Sequence, residues 1–386
     1  MDFLENPTMS SRPTMSSLQL TLNLQKSGLS DVLEPLTSVA NESTGLTCRT
    51  RHRQGSGENP RKTILLMGSA RSGTSWSLSV FNSHPKVLGC HEPFKYMGED
   101  RTMVRCMKRL KDGRHTAVDK GRILEWIKVA YPETHKPPFA QKSFYRYSKW
   151  TRWIAWMTAK LVPFTDDFYR KVAAPELHED DFLVIKNCTF PKMDVMISGI
   201  VSDIVVLLRH PCAVVRSLKR GIDLGLMSVP NANRLWNGYS DSLSQLGYTQ
   251  RQVETCTVSE LLALGWLCET LFSEKLAKQF RTKTLVYEHI LESPIAHWKE
   301  TFDWLGIPFQ PSVADYISKT SKPNWNVRQL FGERGEYYSI SGSRRRIEAS
   351  AAEIALDEQE SQQVLGIVCP HFDLSKHWSP ASKSRY

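Results

Sequence analysis

Two short segments of this 386-residue chain carry side chains suited to holding phosphate. The first is Lys62-Thr-Ile-Leu-Leu-Met-Gly68-Ser-Ala-Arg71-Ser72-Gly73-Thr74-Ser75-Trp76. An apolar run at 63–67 reads as a buried parallel strand; a loop of small residues and a helix start at 75–82 follow it. Strand, loop and helix N-terminus make an anion site, because successive backbone N–H groups point at the ligand and the helix dipole adds favourable potential. Gly73 lets the backbone approach closely, and Thr74 and Ser75 can donate hydroxyl hydrogen bonds. The spacing from Gly68 to Gly73 matches the start of the nucleotide-binding G-x-x-x-x-G-K-[ST] loop. Thr74 stands where that loop needs lysine, and Arg71 is the strong cation instead, which fits an ordinary ATPase or kinase poorly.

The second segment runs from Asp203 through Leu208-Arg209-His210-Pro211 to Ser217 and reads as a buried strand, a proline turn and a helix start. Arg209 at the strand end and Ser217 about two helical turns onward can converge on one phosphate, which a guanidinium grips bidentately. Either residue alone would read as a surface ion pair or a helical serine. A Gly/Ser loop alone would read as a structural turn. Two loops of these kinds in this order make coincidence a poor explanation.

Arg71-Ser-Gly-Thr-Ser-Trp76 resembles the 5′-phosphosulfate loop of sulfotransferases, which use 3′-phosphoadenosine 5′-phosphosulfate (PAPS). Arg209 and Ser217, eight residues apart, are similar to the 3′-phosphate site of that family. The resemblance implies that Arg71 contacts the bridging and phosphate oxygens, that Ser72, Gly73, Thr74 and Ser75 wrap the 5′-phosphate, and that Trp76 stacks near adenine. Core packing is the alternative for Trp76, since tryptophan is usually well buried. The implied fold is P-loop-like α/β, a central and mainly parallel sheet with helices on both faces and ligand loops at the C-terminal strand ends.

Sulfuryl transfer needs the acceptor deprotonated as it attacks and positive charge where the leaving oxygen becomes negative. Glu92, in Gly89-Cys-His-Glu-Pro-Phe94, is the candidate base; it lies 21 residues after Arg71 and resembles the proposed base of the Golgi carbohydrate and protein-tyrosine branches. His91 is its rival because imidazole titrates near neutrality. Neighbours on a strand face opposite ways, so only one of the two is expected at the site. A third apolar run, 182–186, ends in Lys186, a second candidate for neutralising the transferring group. Cys188 stands where the cytosolic branch has its catalytic histidine, which argues against a cytosolic-type base here. Around Tyr287 the chain is similar to the family's Tyr-Glu-Asp-Leu strand, and Arg344–Arg346 is a basic run suited to closing over the 3′-phosphate or to lying in solvent.

These motifs need four strands to hold them, at 63–67, 182–186, 204–208 and 284–287, within one domain spanning 61–386. Residues 1–60 hold 5 basic and 6 acidic residues, are rich in Ser and Thr, and read as a mobile tail. Net charge is +10 overall, and residues 101–175 alone carry 17 Lys and Arg against 6 Asp and Glu, with 12 aromatics. Trp150, Trp153 and Trp156 recur there at three-residue spacing, either as a core-facing helical stripe or as rings offered to a sugar. This basic, aromatic stretch is the expected acceptor-recognition region. It favours an anionic partner, while no nucleic-acid-binding motif accompanies it.

The 8 cysteines form no C-x-x-C pair, no metal site is expected, and no apolar run suits a membrane span or a secretory leader. A cytoplasmic enzyme is therefore expected. The leading function is sulfuryl transfer from PAPS to a hydroxyl, with a carbohydrate as first choice of acceptor and a small-molecule alcohol or amine as second. A nucleotide-dependent phosphotransferase of related fold and a non-catalytic anion binder are the competing classes.

Overall fold

The computed structural model describes residues 62–94, 101–114, 116–129, 142–162, 165–188, 200–321 and 356–378. The expectations for the tail at 1–60 and for the basic run at 344–346 lie outside these residues. Strands β1 (Lys62–Gly68), β2 (Val87–His91), β3 (Phe182–Cys188), β4 (Asp203–Leu208) and β5 (Arg281–Val286) form a single parallel sheet in the order β2-β3-β1-β4-β5.

Helices follow the strands in turn. After β1 comes α1 (Thr74–Asn82). Between β2 and β3 lie α2 (Arg101–Lys111), α3 (Ala117–Val129), α4 (Lys149–Leu161) and α5 (Asp166–Ala173). Between β4 and β5 lie α6 (Pro211–Asp223), α7 (Ala232–Gln245), α8 (Gln250–Glu254) and α9 (Val258–Ala277). The chain continues with α10 (Tyr287–Glu292), α11 (Pro294–Leu305), α12 (Pro311–Thr320) and α13 (Glu358–Val368).

Side-chain alternation along the strands divides the apolar residues between two cores. Leu65, Met67, Leu183, Ile185, Ile204 and Val206 pack on one face with residues from α2, α3, α6, α9 and α13. Ile64, Leu66, Val184, Val205 and Leu207 pack on the other with α1, α10, α11 and α12. Burial on both faces is why the strands read as unbroken apolar runs. The expected architecture, a parallel sheet with helices on both faces, is thus present. Among the described residues no helix is long and apolar enough to cross a membrane.

Three details depart from the sequence reading. The sheet has a fifth strand, β2, which is short and interrupted by Gly89. That glycine lets α1 lie close, since a Cβ there would sit 3.0 Å from Leu78 Cδ1. Tyr287, expected at a strand end, instead opens α10. The tryptophans of α4 do not form one core-facing stripe. A three-residue step falls short of a full turn by roughly 60°, so the stripe rotates around the helix. Trp150 is 63% exposed, Trp153 meets it edge-on at 6.2 Å, and Trp156 packs on the cluster around Tyr169. The buried side of α4 is Arg152, Ala155 and Ala159, with the Arg152 guanidinium 3.9 Å from the Tyr145 ring centre.

Register brings the strand ends level. Gly68 of β1 pairs with Cys188 of β3 and with Leu207 of β4, and His91 of β2 pairs with Lys186. The position of β2 is secured by a buried lysine. Lys142 donates to Asn82 Oδ1 at 2.8 Å and to the Val87 carbonyl, while Asn82 Oδ1 also accepts from the Gly89 N–H at 3.2 Å. Burial pushes the Lys142 ammonium down to about 7. Between about pH 7 and the ordinary lysine range, the unfolded chain then binds the extra proton, so this group makes stability rise with pH. Urea unfolding of wild type and Lys142→Met should therefore give a stability difference that moves in favour of wild type from pH 7 to 9.5. The slope should be at most about 1.4 kcal/mol per pH unit, and a difference independent of pH would refute the assignment.

Candidate functional site

The loop after β1 and the loop after β4 meet at the C-terminal edge of the sheet. Arg71 Nε donates to Ser217 Oγ at 3.1 Å, and Arg209 Nη1 donates to the Arg71 carbonyl at 2.8 Å. Three residues read from two distant motifs thereby share one hydrogen-bonded cluster. Arg209 is 9% exposed, and its Nε is buried with no hydrogen-bond partner among the described residues. Its guanidinium lies 4.7 Å from the ring centre of Tyr287, which is itself buried.

The loop's backbone is shaped for close approach. Arg71 has φ 71° and Gly73 φ 92°, both in the left-handed region that side chains disfavour. At Gly73 a Cβ would sit 2.5 Å from the Tyr287 ring, so only glycine fits beneath that tyrosine. Gly73 also caps α1 without a side-chain hydrogen bond, leaving the first amides of a nine-residue helix for another acceptor.

The remaining loop residues divide between interior and surface. Ser72 is fully buried; its hydroxyl lies 2.5 Å from that of Ser69, and its N–H donates to the Ser69 carbonyl. Thr74 is buried and Ser75 is exposed. Trp76 is half-buried, donates from Nε1 to Thr320 Oγ1 at 3.0 Å, and meets Trp298 edge-on at 5.8 Å.

A second cluster forms where β2 and β3 end. Lys186, 3% exposed, is ion-paired with Glu92 Oε1, and its Nζ lies 3.4 Å from His91 Nε2. Both His91 and Glu92 reach Lys186, although neighbours along an extended strand face opposite ways. The strand β2 stops at His91 and Glu92 takes φ 49°, which swings its side chain round to the same lysine. The Glu92 N–H donates to the Lys186 carbonyl at 2.6 Å and fixes that turn. Such backbone conformations are costly and concentrate where geometry matters for function.

Two carboxyls behind the loops, Glu288 buried and Glu269 half-buried, have no role in the sequence reading. Glu288 follows Tyr287, and burial pushes it up, opposed first by the charge of Arg209. Glu269, on α9, is pushed up to about 8 by burial, opposed by a hydrogen bond from the Ala70 backbone. Glu288 lies in the Tyr287-Glu segment, where the sequence reading singles out only the tyrosine; Glu269 lies in no motif, and only packing brings α9 behind these loops. With its pKa pushed up to about 8, the Glu269 carboxyl places little negative charge behind the loop at neutral pH.

No family model matches the chain, and no curated protein matches it. Among solved structures, it aligns with a sulfotransferase domain from the Synechococcus PCC 7002 olefin synthase at 14% identity and TM-score 0.39, covering 82% of this chain and 97% of that one. A sulfotransferase domain from the curacin biosynthetic pathway gives 14% identity and TM-score 0.39, with 80% and 97% covered. Sulfotransferase STF9 from Mycobacterium avium gives 12% identity and TM-score 0.32, with 82% and 77% covered.

Because the Glu269 carboxyl ionises only as pH passes about 8, an anion on the loop should bind more weakly above that pH. Sulfate is a suitable probe, since its own charge is constant over this range. Its dissociation constant, measured by calorimetry, should rise several-fold from pH 7 to 9 in wild type and stay flat in Glu269→Gln. Equal slopes in the two proteins would assign the dependence to another group.

Proposed function

We propose that this chain is a PAPS-dependent sulfotransferase, with the loop after β1 holding the 5′-phosphosulfate and Arg209 with Ser217 holding the 3′-phosphate. The observation that carries this reading is Arg209, nine-tenths buried, with a buried Nε lacking a partner among the described residues. A buried guanidinium left partly unsatisfied is costly, and a doubly charged phosphate is the acceptor that suits its planar fork. The uncapped start of α1 lies on the companion loop and offers amides to the other end of the same ligand. When bound, PAPS supplies an activated sulfuryl group with a phosphate as its leaving group.

The residues at the strand ends have complementary tasks in this reading. Glu92 takes the proton from the acceptor hydroxyl. Lys186 holds the carboxylate in place beforehand and offers positive charge to the transferring group. Arg71 stabilises charge on the bridging and phosphate oxygens, while Ser72, Gly73, Thr74 and Ser75 shape the loop and supply its amides. Trp76 belongs to the adenine end in this reading, held in orientation by Thr320. No metal is assigned to the site.

For the acceptor we favour a carbohydrate hydroxyl. Trp150 presents an exposed ring on α4, with the half-buried Trp153 beside it, within the region that carries the excess of Lys and Arg. Small-molecule alcohols and amines form the second class to screen. Cys106, Cys212, Cys256, Cys268 and Cys369 stand as thiols, which suits a reducing compartment, and we place the enzyme in the cytoplasm.

Calorimetric titration with 3′-phosphoadenosine 5′-phosphate, ATP and AMP tests the cofactor. Tight binding that requires the 3′-phosphate and survives a chelator is expected, and Arg209→Ala should remove the preference over AMP. A magnesium-dependent preference for ATP would replace the reading with a phosphotransferase. Glu92→Gln should bind 3′-phosphoadenosine 5′-phosphate as wild type does, yet lose roughly 10²–10⁴-fold in turnover on an acceptor found by screening saccharides. Wild-type turnover in that variant would remove Glu92 as the base.

A further inference from the structure

The peptide group joining Arg209 to His210 is held at both ends by buried side chains from distant parts of the chain. Its carbonyl, that of Arg209, accepts from Trp266 Nε1 at 3.0 Å. Its N–H, that of His210, donates to Glu288 Oε1 at 3.2 Å. The other carboxyl oxygen of Glu288 accepts from Trp378 Nε1 at 3.0 Å. Trp378 is 1% exposed, and its ring meets the His210 ring edge-on at 5.3 Å.

This peptide group is the pivot of the proposed 3′-phosphate site. On one side, the torsion next to its carbonyl sets the direction of the Arg209 side chain. On the other, His210 is the N-cap of α6, the helix whose second turn bears Ser217. His210 has φ −52° and ψ 131°, and no side chain caps α6 through it. Fixing the orientation of this one peptide plane therefore fixes how Arg209 and Ser217 stand relative to each other. Tyr287, the residue before Glu288, packs against both the Arg209 guanidinium and the Gly73 backbone. The same short helix, α10, thus touches both halves of the site.

We propose that Glu288, oriented by Trp378, is a positioning residue that sets the Arg209–Ser217 half of the ligand site. The assignment rests on the proposed function for the identity of the ligand. It also gives the C-terminal segment, Glu358–Val368 and the residues leading to Trp378, a part in a site formed by loops far earlier in the chain. Glu288 itself need not touch the ligand. It accepts from two N–H donors at once, which a carboxyl can do and a glutamine amide cannot, because the amide nitrogen would face an indole N–H.

The test uses the full chain and two ligands, 3′-phosphoadenosine 5′-phosphate and AMP, the second lacking the 3′-phosphate. Glu288→Gln and Trp378→Phe should each raise the dissociation constant of the first by about tenfold, the size expected for a lost buried hydrogen bond. AMP should change less than twofold. In Glu288→Gln/Trp378→Phe the donor facing the glutamine is gone, so the double variant should bind no worse than Glu288→Gln alone. Equal weakening of both ligands would reduce Glu288 to a structural role and overturn the proposal, as would unchanged binding of both. Wild type serves as the control for the function itself: a wild type that binds neither ligand defeats the proposed function and this inference with it. A wild type that requires the 3′-phosphate, paired with variants that keep that preference, defeats the inference alone. Should Trp378→Phe fail to fold, Glu288→Gln decides by itself.

Discussion

The loops after β1 and β4 depend on a mutual grip between arginines. Arg209 reaches across to the carbonyl of Arg71, and Arg71 reaches back to the hydroxyl of Ser217. Each guanidinium is thus aimed by the opposite loop, and neither motif is complete alone. Two cations drawn into one half-buried cluster repel each other, so the arrangement is most favourable with an anion between or beside them. The surrounding structure is consistent with that need: an uncapped helix start, a glycine beneath Tyr287, and the carboxyls of Glu269 and Glu288 with raised pKa values.

The sheet makes this grip possible by placing β1 between β3 and β4, with strand ends in register. Loops leaving neighbouring parallel strands at one edge face each other across a crevice, where ligands of such sheets bind. The same register brings His91 and Glu92 from β2 to Lys186 on β3. Left-handed residues then make the final adjustments. Arg71 and Glu92 are the non-glycine residues with positive φ among those described, and each turns a charged side chain into a cluster it could not reach from an extended backbone.

Much of this was legible in residue order. Runs such as Ile64–Met67 and Ile204–Leu208 are apolar on both faces, which marks buried parallel strands before any tertiary information. The loop cation, the glycine before the helix and the arginine ahead of a proline turn are local features, so their chemistry could be read locally. The β2 strand was harder, since Val87–His91 is short and its glycine answers to the approach of α1 and not to strand propensity. The tryptophans of α4 could not be placed from spacing alone, because three-residue spacing drifts around a helix, carrying Trp150 outward and Trp156 inward.

By itself, the sequence determined the kinds of groups present and the short-range geometry around them: strand, loop, helix start, and which side chain carries the charge. Those follow from backbone sterics and burial patterns that act over a few residues. Only the tertiary structure decided which groups meet. The pairing of Arg71 with Ser217, of Glu92 with Lys186, and of Glu288 with both His210 and Trp378 spans 78 to 146 positions in the chain. No local rule encodes such pairings. They arise because packing two apolar faces onto one twisted sheet leaves few ways to stack the helices, and the polar groups at the strand ends are then satisfied by whichever partners that stacking delivers.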